Sequence, residues 1–229
     1  LTAKDVIFTL KTVKNPLLID GAALRNYYES LVDVTAPDDY TVVMTLNKPY
    51  FIADAVLGNN VPIFPKHIFD PKNLTDSYTF AETNSLEKAQ ANAAMKEFAD
   101  WFGAAERKRD VQTIVGSGPY ILEEWRTGES IRLKRNDKYW NGTNNPNMVA
   151  YPDKLVFKTV NDRNTALTTM KNGDLDFIEY MPPKLYVESL DTTAIPFLKK
   201  TSYIYPVYSY IGWNAARPIF ADKRTRQGL

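Results

Sequence analysis

Residues Gly116-Ser117-Gly118-Pro119-Tyr120, GSGPY, stand mid-chain ahead of ILEEWRTGESIRLKRNDKYW (121–140). Two glycines around a serine can mark a phosphate loop, a nucleophile turn or a tight turn feeding a strand. A phosphate loop needs a longer glycine-rich stretch that ends in Gly-Lys-Ser/Thr and opens a helix. Here Pro119 follows and a strand pattern begins, so no helix N-terminus presents its amides to a phosphate. A nucleophile elbow needs Gly-x-Ser-x-Gly on a strand-to-helix turn, and both spacing and direction are wrong. The stretch therefore predicts scaffold: glycine supplies unusual φ and proline stiffens the entry to a strand. Downstream, Tyr120–Trp125 and Ile131–Arg135 read as two strands joined through RTGES, a β-hairpin.

Upstream, Thr2 to about Asn15 reads as a helix with Val6, Ile7, Leu10 and Val13 on one apolar stripe. Thr2 followed three residues later by Asp5 resembles a capping box with Asp in place of Glu. Residues 30–36 and 40–47 read as strands joined by the turn PDDY (37–40). In the second, Val42, Met44 and Leu46 alternate with Val43 and Thr45, which predicts cover on at least one face. VPIFPKHIFDP (61–71) holds three prolines and reads as an ordered connection. Residues 80–102 carry Leu86, Ala89, Ala93, Phe98 and Trp101 among charges and predict an amphipathic helix. A charged break at Arg107–Asp110 marks an expected domain boundary near 110.

Beyond the hairpin, DKYWNGTNNPN (137–147) reads as a polar loop and KLVFKTV (154–160) as a strand. NDRNTALTTMKNG (161–173) reads as a helix capped by Asn161 or Asp162 and stopped by Gly173. DLDFIEY (174–180) is a predicted strand, MPP (181–183) opens a short helix, and TSYIYPVYSYIGWN (201–214) is a predicted aromatic strand or strand pair. A final helix starts in the last ten residues. Strand–helix–strand over 154–180 predicts a parallel crossover. Hairpins elsewhere make the sheet mixed, so the class is α/β or mixed α+β.

The 229 residues suffice for one large domain or two small ones. Net charge is +1, which gives no broad field for nucleic acid or an anionic membrane. There are no cysteines, so neither disulfide nor thiolate chemistry is available. No apolar run approaches the roughly 20 residues of a membrane helix. The chain opens LTAKDVIFTL without Met or signal peptide and closes FADKRTRQGL, and reads as an excised piece. His67 is the single histidine, in the proline-rich connection, with no pattern to orient it as a catalytic base or a zinc ligand. Glu123 and Glu124 are adjacent on a strand and point to opposite faces, so they cannot flank one glycosidic bond. Asp174 and Asp176 form one short acidic cluster, better read as turn capping than as a Ca²⁺ cage. Tyr208 and Tyr210 share one face of their predicted strand, opposite Val207, Ser209, Ile211 and Trp213. Such a Tyr face can line a ligand cleft or be buried on both sides.

Five stretches, in order, resemble the family 5 extracellular solute-binding proteins, the peptide/nickel-type receptors of ABC importers. LTAKDVIFTL (1–10) is similar to that family's early helix, and IFPKHIF (63–69) to its Pro-Lys-His segment. VGSGPYILEEWRTGESIRLKRNDKYW (115–140) resembles its Gly-x-Gly-Pro-Tyr turn, hairpin and Asn-x-x-Tyr-Trp end. NDRNTALTTMKNGDLDF (161–177) and YIGWNAARPIFADKRTRQGL (210–229) resemble two further elements, with Ile219 beside Phe220 and Gly228 where Ala is usual. The resemblance implies a mixed-sheet α/β lobe of the type II periplasmic-binding-protein kind, truncated, with an inserted α+β subdomain at about 1–112 and the central part of the main lobe at 113–229. It implies a non-enzyme that captures oligopeptides in an interlobe cleft and docks on a membrane permease, in the periplasm or outside the cell, with any signal or lipid anchor outside this piece. No cofactor, metal or nucleic acid is implied. Tyr180 and Met181 match, by position, a loop facing the cleft; Tyr208 and Tyr210 join them as ligand-binding candidates on strand alternation alone. Alternatives are a non-peptide ligand (nickel chelate, haem or oligosaccharide), a protein-docking or signalling module, and a hydrolase, for which His67 is the one base available. Uncovered sheet edges in an isolated lobe predict self-association.

Overall fold

A computed structural model describes residues 1–59, 61–141, 148–204 and 207–229. The chain divides into two compact units, Leu1–Thr159 and Val160–Leu229.

The first unit is organised around helix α1 (Ala3–Lys14). Its start is set by sequence: the Thr2 amide donates to Asp5 Oδ2 at 2.7 Å, which satisfies a backbone donor that a helix end leaves orphaned. The predicted stripe faces the core, with Leu10 and Val13 buried and Val6 and Ile7 half-buried, but α1 is covered on a second face as well. Leu10 and Val13 pack with Tyr28, Leu31, Val34 and Phe80, with Val6 and Ile7 beside them. Phe8 enters a separate cluster with Leu18, Phe98 and Ala99, and its ring meets Phe98 edge-on at 5.7 Å. Two lysines, Lys11 half-buried and Lys14 buried, anchor the helix to its surroundings. Lys11 Nζ donates to the carbonyls of Thr75 (2.7 Å) and Tyr78 (2.6 Å). Lys14 Nζ donates to those of Tyr28 (2.9 Å) and Leu31 (3.1 Å). Burial lowers the pKa of both.

The first core is closed by an antiparallel pair, β1 (Leu31–Asp38) and β2 (Thr41–Leu46), after the short helix α2 (Ala22–Arg25). Val42, Met44 and Leu46 face it, while Val43 is exposed, as the alternation predicts. Helices α3 (Ala53–Asn59) and α4 (Lys66–Phe69) follow, and α4 occupies part of the proline-rich connection. The helix expected over 80–102 is broken. Helix α5 (Leu86–Ala91) ends at Asn92, whose side chain accepts the Met95 amide at 3.1 Å and starts α6 (Ala93–Gly103). Asn is a strong N-cap, and here it outweighs the continuous apolar periodicity.

The GSGPY stretch leads into a three-stranded antiparallel sheet in the order β3 (Tyr120–Arg126), β4 (Ser130–Arg135), β5 (Lys154–Lys158). The β3–β4 turn uses Gly128 at φ 77°, a conformation glycine adopts without Cβ strain. Gly118 and Pro119 are tied to the far end of the hairpin. Asn136 Nδ2 donates to the Gly118 carbonyl (3.0 Å) and the Asn136 amide to the Pro119 carbonyl (2.8 Å). The register aligns Trp125, Ile131 and Phe157 on one face, with Leu122, Leu133 and Leu155 one step along. On the other face Glu124 pairs with Arg126 and Arg132.

In the second unit, α7 (Arg163–Lys171) has the predicted ends. Asp162 Oδ1 accepts the Thr165 amide at 2.7 Å, and Gly173 follows at φ 82°. Ala166, Leu167 and Met170 are buried. Pro183 opens a helical turn that continues through Leu185–Ser189, and Lys200 Nζ donates to the Tyr186 and Leu190 carbonyls. Helices α8 (Pro218–Ala221) and α9 (Lys223–Gly228) end the chain. Two expectations fail here. Residues 174–180 are not a strand, and neither are the described residues of 201–214 (Tyr205 and Pro206 lie outside them). The parallel crossover fails with them, because β5 pairs antiparallel to β4. A strand exists by exchanging backbone hydrogen bonds with a neighbour. Among the described residues neither segment has such a partner.

Candidate functional site

The four ligand-binding candidates all lie in the second unit. Helix α7 and Gly173 deliver the chain to an irregular segment, where Tyr180 is exposed and Met181 half-buried just before Pro182 and Pro183. Tyr208 and Tyr210 are exposed too, at 86% and 81% of their surface. Their rings are together, with centroids 6.1 Å apart and planes inclined at 44°. That pairing reproduces the shared face expected of them, although no strand creates it. Among the described residues Tyr180 makes no ring contact with either. The structure thus assembles one aromatic pair and leaves Tyr180 and Met181 as a separate neighbouring pair in a loop. Phenol-bearing rings with this much open surface can stack on apolar groups and donate or accept hydrogen bonds at once.

The side chains weighed for chemistry have ordinary structural surroundings. Ser117 is exposed in the turn before β3. His67 lies in the single turn of α4. Asp5, near it, is buried, which acts to raise its carboxyl pKa, but amide hydrogens from Lys66 and Thr2 outweigh burial and hold it below the usual carboxylate range. Glu123 pairs with Lys154, and Glu124 with the two arginines. Among the described residues no three His, Asp or Glu side chains converge as a metal site.

A concavity that pattern reading did not find lies in the first unit. It encloses about 590 Å³ and is walled by Phe64, Phe69, Trp101 and Phe102, with Ile114 and Arg107 at its edge. Phe64, Phe69 and Phe102 contact one another, with centroids 5.3–5.8 Å apart. The Arg107 guanidinium stacks over the Trp101 ring at 3.7 Å. In sequence, Arg107 belongs to a charged break and Trp101 to a helix stripe. Only the turn after α6 brings the one over the other.

The oligopeptide-binding protein AppA of Bacillus subtilis (strain 168) is 31% identical over 236 aligned residues, covering all of this chain and 35% of AppA. The dipeptide-binding protein DppE of the same organism is 30% identical over 83% of this chain and 31% of its own length. A solved structure from Thermotoga maritima, a periplasmic oligopeptide-binding protein of an ABC transporter with mannohexaose bound, superposes with a TM-score of 0.52 at 25% identity, over 82% of this chain and 29% of that one. The chain therefore spans about a third of the length of the relatives it matches. Its mixed α/β architecture with antiparallel sheets is one found in those binding proteins. Among the described residues no helix is long and apolar enough to cross a membrane. The family description "Bacterial extracellular solute-binding proteins, family 5 Middle" matches residues 1–229, and the chain belongs to that family.

Proposed function

We propose that the protein is the substrate-binding component of an ABC importer, which captures oligopeptides in a cleft between lobes and hands them to membrane permease subunits. The observation that carries this reading is the 31% identity to an oligopeptide-binding protein along the entire chain. The protein acts without catalysis, in the periplasm or at the cell exterior. Residues 1–112 form an inserted subdomain and 113–229 the central part of the main lobe. Ligand bridges the lobes and favours the closed state by binding it more tightly than the open one.

Tyr180, Met181, Tyr208 and Tyr210 contact the peptide. Their support is exposure and, for the tyrosines 208 and 210, mutual proximity. The chain by itself self-associates through the edges of its three-stranded sheet, which sedimentation velocity at two concentrations would read.

A second reading, an oligosaccharide receptor, is favoured by one observation: the Thermotoga maritima relative binds mannohexaose. Native mass spectrometry of the gently purified protein separates the two. A ladder of peptide masses is expected. A single non-peptide mass would transfer the reading to the second ligand class. No bound mass, followed by no thermal shift with a peptide library, would defeat both.

A further inference from the structure

The aromatic cavity of the first unit has a chemistry of its own. Its walls are apolar, built by Phe64, Phe69, Trp101 and Phe102 from α6 and the proline-rich connection. Its volume, about 590 Å³, falls in the range of small-molecule sites. Among its described lining residues there are two basic side chains, Arg107 and Lys108, and no carboxylate.

The two cations differ. Lys108 is already paired, its Nζ 2.5 Å from Asp20 Oδ2. Arg107 has one face on the Trp101 ring, and among the described residues no carboxylate lies within ion-pairing distance and no group accepts its side-chain N–H donors. Stacking fixes the guanidinium plane while its edge remains open. A planar cation with a free edge matches a carboxylate in two parallel hydrogen bonds. With Lys108 paired to Asp20, Arg107 is the one basic side chain of the lining left without a carboxylate among the described residues, which suits a monoanion better than a phosphate dianion.

We propose that this cavity binds a small amphipathic carboxylic acid, its apolar body among the aromatic walls and its carboxylate on the edge of Arg107. The site lies wholly within Leu1–Thr159 and involves none of the four residues assigned to peptide contact.

Isothermal titration of the 229-residue chain with decanoate, 1-decanol and decyltrimethylammonium tests it. Decanoate is expected to bind saturably at one site, about tenfold or more tighter than 1-decanol, because a hydrogen-bonded charge pair contributes that much. Decyltrimethylammonium is expected not to compete. Arg107→Gln should erase the preference for decanoate over the alcohol, and Ile114→Trp, which fills the space, should remove binding of both. Circular dichroism establishes that each variant folds. Absence of saturable decanoate binding overturns the proposal. So does equal binding of the three amphiphiles, or a decanoate preference that survives Arg107→Gln. The three-probe comparison on the unaltered chain decides the question even if a variant does not fold.

Discussion

Helix α1 and helix α7 begin alike and end differently. Each has its first amides met by a carboxylate that the sequence announces, Asp5 in one and Asp162 in the other. Around α1 the large side chains vanish from solvent: Phe8, Tyr28, Leu31, Met95 and Phe98 are 0–1% exposed. Around α7 three residues are buried, while three aromatics of the same unit, Phe177, Tyr208 and Tyr210, stand 78–86% exposed. Local capping is therefore present in both places, while burial depends on what the rest of the chain brings to each helix. The surroundings of α1 are a packed core, although the same unit leaves Tyr40 and Phe51 88–91% exposed. The surroundings of α7 bury less and leave more of their aromatic area open.

The largest effect that would break this contrast is at Phe98. Phe98→Ala should destabilise the chain by about 3–5 kcal/mol, since it removes a ring from a filled core. Phe177→Ala should stay within about 0.5 kcal/mol, as exposed substitutions do. Urea unfolding of both variants checks the pair, and similar losses would show that the two regions are not differently packed.

Next is Asp5→Asn, with an expected cost of about 1–3 kcal/mol from weakened charge-assisted hydrogen bonds to the Thr2 and Lys66 amides. The folded pKa of Asp5 is lowered. Its contribution is thus fully present above the unfolded-state carboxyl pKa and is lost as pH falls through the folded value. Stability measured across pH 2–6 should fall less steeply in the Asn variant than in the parent. An unchanged slope would remove Asp5 as its cause.

Smaller is the effect on ligand capture. Tyr208→Ala and Tyr210→Ala are each expected to weaken peptide binding by about tenfold, the scale of a stacking contact with its buried area, and to leave unfolding unchanged. Titration of the full-length protein with the peptides it co-purifies reads this, and loss of stability instead would mark the pair as structural. Smallest is Asp162→Ala. Hydrogen exchange of the α7 amides should accelerate about fivefold, the equivalent of a lost N-cap, with the amides of α1 unaffected.

Much of the scaffold is legible because its signals are local. Thr2 with Asp5, Asp162 with Gly173, and the turns at 37–40 and around Gly128 each involve residues a few positions apart, so they act before any tertiary contact forms. The break at Asn92 was legible in principle. Asn followed by Ala-Ala-Met is a cap, but the apolar period running through it masks the interruption. The strands expected at 174–180 and 201–214 were not legible, because alternation records a preference for extended backbone and says nothing of a partner strand. Of the candidate site, only the proximity of the Tyr208 and Tyr210 rings was legible, because i and i+2 neighbours stay close in an extended chain. The stacking of Arg107 on Trp101 does not show in the sequence at all.

The family, carried by five ordered stretches, the helix ends and the hairpin turns are all readable in the linear chain. Each depends on side chains acting on their own backbone within a few residues. Which apolar faces are covered, which strands find partners, and where a cation comes to rest on a ring emerge only in the folded chain. Those outcomes depend on groups far apart in the chain meeting at van der Waals or hydrogen-bond distance, and a linear pattern contains no such distance.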